Sequence, residues 1–126
     1  MTKAVYIVVC NSADPAREDE FNHWYTDIHS PDILTVPGVV AGTRYQLASQ
    51  TDPAVHEPDK AKYLAVWEID ADDPADVVAN IWKGAREWSA AGRGGPGLDL
   101  VYHAVYASMA ERMLPEPASA QGTTAQ

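Results

Sequence analysis

Cysteine occurs once, at Cys10, in a chain of 126 residues. That excludes an intramolecular disulfide and suits a reducing compartment, so the protein is expected to be cytoplasmic. Cys10 lies inside an apolar run, where a packed, inert thiol outweighs a nucleophile. Basic residues are also scarce: nine Lys and Arg against eighteen Asp and Glu give a formal charge of −9. The nine are scattered, whereas nucleic acid and anionic membranes both need them clustered, so neither partner is expected. No apolar run approaches membrane-spanning length, and Ala4 to Cys10 is too short for the apolar part of a secretion signal with its cleavage site. The four histidines lack metal-ligand spacing and there is no cysteine pair, so no metal is expected. Gly92-Arg93-Gly94-Gly95-Pro96-Gly97 lacks the phosphate-loop lysine and leads into a strand, which argues against nucleotide binding. No cofactor is expected.

What is present is organised around the stretch from Asp14 to Gly38. Asp14 can cap a helix whose first turn tolerates Pro15. Glu18, Asp19 and Glu20 then lie at the favourable end of the helix dipole. Phe21, Trp24, Tyr25 and Ile28 follow the i, i+3, i+4, i+7 spacing of one buried stripe. His23 falls on the opposite, wet face. His29 falls at the border of the stripe, one turn beyond Tyr25. Pro31 is expected to end or kink the helix, leaving His29 half-buried in the last turn. Asp32 to Val36 can add a further turn.

The remaining elements follow from periodicity and turn residues. Lys3 to Asn11 is a buried strand rich in β-branched residues. After the turn at Pro37-Gly38, Val39 to Leu47 is a second strand, with Ala41, Thr43, Tyr45 and Leu47 on one face and Val40, Gly42, Arg44 and Gln46 on the other. Ala48 to Lys62 is a polar loop that contains His56, for which no role is expected. Tyr63 to Ile69 is a third, central strand. Asp73-Pro74 repeats the first cap, and Val77, Val78, Ile81, Trp82, Ala85 and Trp88 form a second helical stripe. Gly92 to Gly97 links to a fourth strand, Leu98 to Met109. One domain over residues 1–112 and a flexible tail over 113–126 are expected.

The order β-α-β-β-α-β predicts an α+β, ferredoxin-like fold: a four-stranded antiparallel sheet with both helices on one face. Yet the strands are apolar on both sides. Val5, Ile7 and Val9 alternate with Tyr6, Val8 and Cys10, and Leu64 and Val66 with Ala65, Trp67 and Ile69. The face without helices would be a large apolar patch, which marks an interface. Two such sheets closing on each other form an eight-stranded barrel, so a homodimer is expected.

The run Glu-Phe-Asn-His-Trp-Tyr-Thr-Asp-Ile-His-Ser-Pro-Asp at 20–32, followed by Val-Pro-Gly-Val and by Arg44-Tyr45, resembles the dimeric α+β barrel superfamily. Within it the chain looks most like the EthD-like proteins, and more loosely like muconolactone isomerases, polyketide cyclases and small cofactor-free monooxygenases. Residues 3–110 follow the element order, while the specific motif spans Phe21 to Tyr45. The resemblance implies an apolar or aromatic small molecule held between sheet and helices or in the barrel mouth. It also makes the histidine at position 29 the candidate for acid–base work. Haem binding, known in other relatives, is not expected here, because no histidine has an axial-ligand setting.

The individual residues leave alternatives open. His29 titrates near neutrality and can serve as acid or base, or it can satisfy carbonyls at a helix end. Asp32 can orient the imidazole or cap the next turn. Tyr25 can donate its hydroxyl to a substrate oxygen or pack as core; Trp24 is core or substrate wall. If strands two and three pair with residue numbers summing to about 112, Arg44 faces Glu68 as a cross-strand ion pair; otherwise both are solvated. His103 is a substrate-binding candidate or a satisfied strand residue, and Trp67 a candidate for packing an aromatic ring. Three functions follow. The first is a cofactor-independent isomerase, cyclase, dehydratase or lyase using proton transfer on an aromatic or polyketide-like substrate. His29 would be its acid/base, with Tyr25 and Asp32 as helpers and Arg44 as an oxyanion anchor. The second is a cofactor-free oxygenase of an aromatic substrate. The third is a non-catalytic ligand-binding or accessory protein.

Overall fold

A computed structural model describes residues 1–49 and 61–117. His56 and the tail from residue 118 onward lie outside the described residues. The strands are β1 (Thr2–Ser12), β2 (Val39–Gln46), β3 (Tyr63–Ala71) and β4 (Leu98–Ala107). They form one antiparallel sheet in the order β2-β3-β1-β4, so the two most apolar strands are central. The ferredoxin-like α+β fold expected from the sequence is the fold observed. No helix among the described residues is long and apolar enough to cross a membrane.

The first helical region is built in pieces. Asp14 accepts from the Ala16 N–H at 3.0 Å and starts a 3₁₀ turn, Pro15–Arg17. Arg17 then leaves helical dihedrals (φ −114°, ψ 24°), so α1 begins only at Glu18 and runs to Trp24. A wide π turn follows at Tyr25–His29, and α2 (Ser30–Ile33) continues from it. Pro31 therefore does not end the helix at His29. Proline lacks the N–H that would continue the α ladder. Here the turn widens, and Ser30 supplies both its N–H and its Oγ to the Tyr25 carbonyl, the latter at 2.6 Å. The second cap is simpler: Asp73 accepts from the Ala75 N–H at 3.1 Å and opens α3, Pro74–Trp88.

The core lies between sheet and helices. Tyr6, Val8, Cys10, Ala65, Trp67 and Ile69 point inward, against Phe21, Tyr25, Ile33, Val77 and Ile81. Cys10 is among the buried residues, and burial pushes its thiol pKa up to about 11, which keeps it protonated and inert. Trp67 reaches across β2 above Gly42, where any side chain would overlap the indole. The opposite face carries Val5, Ile7, Val9, Leu64 and Val66, all partly exposed, with Tyr45, Tyr102 and Tyr106 about half exposed around them.

Two expected details change. Arg44 pairs with Ala65, and Glu68 with Ala41, so the expected Arg44–Glu68 pair is not formed. A register shift between Val39 and Ala41 sends the two side chains to opposite faces of the sheet. Trp82, expected in the buried stripe of α3, is 39% exposed.

Candidate functional site

The helix-facing side of the sheet encloses a cavity of about 240 Å³ between β1, β4 and the helical elements. The four tryptophans of the chain, Trp24, Trp67, Trp82 and Trp88, all line it, together with Tyr6, Tyr25 and His29. A space of this size and composition suits one flat apolar molecule.

His29 is surrounded by three aromatic rings. Its imidazole stacks on Trp24 with ring centroids 4.6 Å apart and planes 18° apart. Tyr25 meets it edge-on at 5.0 Å and Trp88 at 6.1 Å. The π turn ends on His29, four residues beyond Tyr25 and on the same side of the helix. Wide turns of this kind are frequent at functional sites. Among the described residues nothing hydrogen-bonds either imidazole nitrogen. Burial pushes the His29 pKa down to about 4, against an opposing pull from Asp32 and with a small push from Arg44. The ring is therefore neutral at physiological pH, with one nitrogen open as a base.

Asp32 does not orient that ring. Its Oδ2 accepts from Arg93 Nε at 2.7 Å. Arg93 stands in a second wide turn, Ser89–Arg93, and its carbonyl accepts the Trp24 indole N–H at 2.8 Å. The following glycines then cross the face of Trp24 so closely that a Cβ at Gly95 would overlap the indole. Asp32 thus helps to pin the glycine-rich link that roofs the cavity. That link was legible as a turn, and its contact with Trp24 carries no sequence signal.

Of the other expected residues, Trp24, Tyr25 and Trp67 share the cavity with His29. Tyr25 is buried, and burial raises its hydroxyl pKa, so it stays protonated. The buried indole N–H of Trp67 makes no well-formed hydrogen bond among the described residues, and the Tyr25 hydroxyl is the polar group beside it. Arg44 lies behind Tyr25, away from the cavity lining. Its guanidinium sits 4.3 Å from the Tyr25 ring centroid and donates to Thr26 Oγ1 at 2.9 Å and Asn22 Oδ1 at 3.1 Å. Glu68 lies in a groove on the outer face with Val5, Val40 and Tyr106. His103 stands on edge strand β4, with Nδ1 2.8 Å from the Tyr6 hydroxyl, and Trp82 Nε1 donates to that hydroxyl at 2.9 Å. Tyr6, Trp82 and Trp88 are cavity residues that sequence reasoning treated only as core. His23, on the wet face, pairs with Asp27 at 2.8 Å.

No protein-family model and no curated protein matches the sequence. Solved structures do. HapK from Hahella chejuensis shares 17% identity with a TM-score of 0.59, over 90% of this chain and 99% of that one. An EthD-like protein from Ralstonia eutropha gives 16% and 0.60, over 89% and 96%. An ethyl tert-butyl ether D family protein from Bacillus halodurans gives 14% and 0.50, over 90% and 100%. The subunit fold of the EthD-like proteins is the fold of this chain.

Proposed function

We propose that the chain is a cofactor-independent enzyme that moves a proton on a flat, aromatic or polyketide-like molecule, with His29 as the base. The observation that carries this is the neutral imidazole on the wall of a cavity lined by four tryptophans. A base with a pKa near 4 is weak, so it matches an acidic C–H, such as one between two carbonyl groups. Isomerisation, cyclisation, dehydration and lyase steps all begin with such a deprotonation. Catalysed deuterium incorporation into an aromatic 1,3-diketone in D₂O, followed by proton NMR, tests the reading without knowledge of the natural product. Exchange by the wild-type protein that His29→Gln lacks is the expected result. Equal exchange by both would end the case for His29. The Asp32–Arg93 pair favours a second reading, a binding protein without turnover, because it leaves the imidazole without an orienting carboxylate. Ligand binding with no exchange would select it.

The outer sheet face motivates a homodimer as part of the same proposal. Val5, Ile7, Val9, Leu64 and Val66 are apolar, contiguous across paired strands and only partly covered. Light scattering at micromolar concentration should give twice the 13.7 kDa chain mass. Val66→Glu, on the outer side of central strand β3, should halve the observed mass, and a monomeric wild type would remove the barrel.

A further inference from the structure

We propose that the Tyr6 hydroxyl is the site's hydrogen-bond donor to a substrate oxygen, with Trp82 and His103 as the residues that position it. The inference rests on the aromatic-ligand reading above and adds the group that would meet the developing oxyanion. Tyr6 stands on central strand β1 and lines the cavity. Its oxygen has two neighbours from two other elements, Trp82 Nε1 of α3 at 2.9 Å and His103 Nδ1 of β4 at 2.8 Å.

The proton count decides what that oxygen can offer. An indole N–H only donates, so Trp82 occupies one lone pair of the Tyr6 oxygen. When His103 carries a proton on Nδ1, it donates as well. The cluster then holds two donors on one oxygen, and the hydroxyl's own proton is left for a third partner in the cavity. When His103 carries its proton on Nε2, the Tyr6 proton goes to Nδ1, and the cavity meets a lone pair instead. The first state fits an enolate or phenolate oxygen, and the second a substrate hydroxyl. His103 is held in place by its edge contact with Tyr6 at 5.8 Å and its tilted contact with Trp82 at 5.4 Å. It is also exposed, so water can exchange its proton.

A buried tyrosine hydroxyl needs only one partner to be satisfied. The second partner here comes from a tryptophan that remains 39% exposed, so burying the indole does not account for its position. In the proposed reaction a C–H proton passes to the open His29 nitrogen, and the electron pair it leaves moves onto the carbonyl oxygen. Tyr6 O–H hydrogen-bonds that oxygen, and His29 returns the proton to another carbon. No oxidant or reductant is needed. A weak base makes the donor necessary, because the enolate must be stabilised for the first step to proceed.

Calorimetric titration with 4-nitrophenol, above its pKa, and with nitrobenzene separates the pieces. Both should bind the wild type. Tyr6→Phe should weaken the phenolate by about tenfold or more, the usual worth of a hydrogen bond to a charged group, and leave nitrobenzene unchanged. Retained nitrobenzene binding also shows that the variant is folded. His103→Gln, which keeps an N–H donor, should preserve phenolate affinity, while His103→Leu, which leaves the Tyr6 hydroxyl free but unheld, should weaken it by less than Tyr6→Phe does. Trp82→Phe should weaken the phenolate in the same direction if Tyr6→Phe proves unstable. Equal phenolate affinity in Tyr6→Phe and wild type, with nitrobenzene bound by both, would overturn the role of Tyr6 and leave the aromatic cavity standing. Failure of the wild type to bind either probe would overturn the cavity reading and this one together.

Discussion

His29→Gln should lower the rate of catalysed deuterium exchange by roughly two to four orders of magnitude, the usual contribution of a positioned proton acceptor. Glutamine keeps the size and polarity of the ring nitrogens' surroundings but cannot accept a proton at useful pH. His23→Ala is the internal control. His23 is exposed, pairs with Asp27 and should leave the rate unchanged. The pH dependence adds a second test. Because the folded-state pKa lies near 4, the acid limb of kcat/KM should fall at about pH 4 and not at the usual histidine value of about 6.5. Stability should follow the same group. The unfolded chain binds a proton on His29 below about pH 6.5, while the folded chain resists it down to about pH 4. The stabilisation from a neutral, buried His29 is therefore complete above 6.5 and lost as pH falls toward 4. At about 1.4 kcal/mol per pH unit, the loss across that window is on the order of 3 kcal/mol. Denaturant midpoints measured across that window should decline in the wild type, and the decline should be shallower in His29→Gln. Parallel declines would place the titration elsewhere.

Trp67→Ala should cost ~3–5 kcal/mol, a large part of the ~5–15 kcal/mol that holds a domain of this size together. The side chain is 1% exposed on a central strand, so its removal leaves a void beside the existing cavity. Trp67→Phe should cost much less than the lost volume suggests. The substitution also deletes a buried N–H that makes no well-formed hydrogen bond among the described residues, and an unsatisfied donor carries a penalty of ~1–3 kcal/mol. Urea unfolding of the two variants distinguishes these terms. A Phe variant as unstable as the Ala variant would mean that the indole N–H is satisfied, by the Tyr25 hydroxyl beside it or by water.

Much of the fold was legible because hydrophobic period and turn residues speak directly to local structure. Both Asp-Pro signals mark caps, Asp73 opening α3 and Asp14 a 3₁₀ turn ahead of α1, and alternation along β1 and β3 identified the two apolar faces. The end of the first helix was misjudged for a physical reason. Pro31 breaks an α ladder, but a widened turn needs no bond from that residue, and sequence period does not reveal a π turn in advance. The Arg44–Glu68 pairing failed because β2 and β3 are offset by an odd number of residues from the expected register, so Arg44 faces Ala65 and Ala41 faces Glu68, and an odd slip moves a side chain to the other face of a sheet. Tyr6 and Trp82 escaped notice for a different reason. They are apolar-stripe residues by spacing, and only the crossing of β1, β4 and α3 brings the Tyr6 hydroxyl, the Trp82 indole and His103 to one point.

The cavity and the apolar outer face occupy opposite sides of one sheet. In the proposed dimer, a partner seated on the outer face would have the thickness of the sheet between itself and the cavity. Each cavity would then act as its own binding unit. Saturation should be hyperbolic, with one equivalent of ligand per chain, and occupancy of one copy should leave its neighbour's affinity untouched. Association through the outer face would then contribute stability and solubility, while turnover would be counted chain by chain.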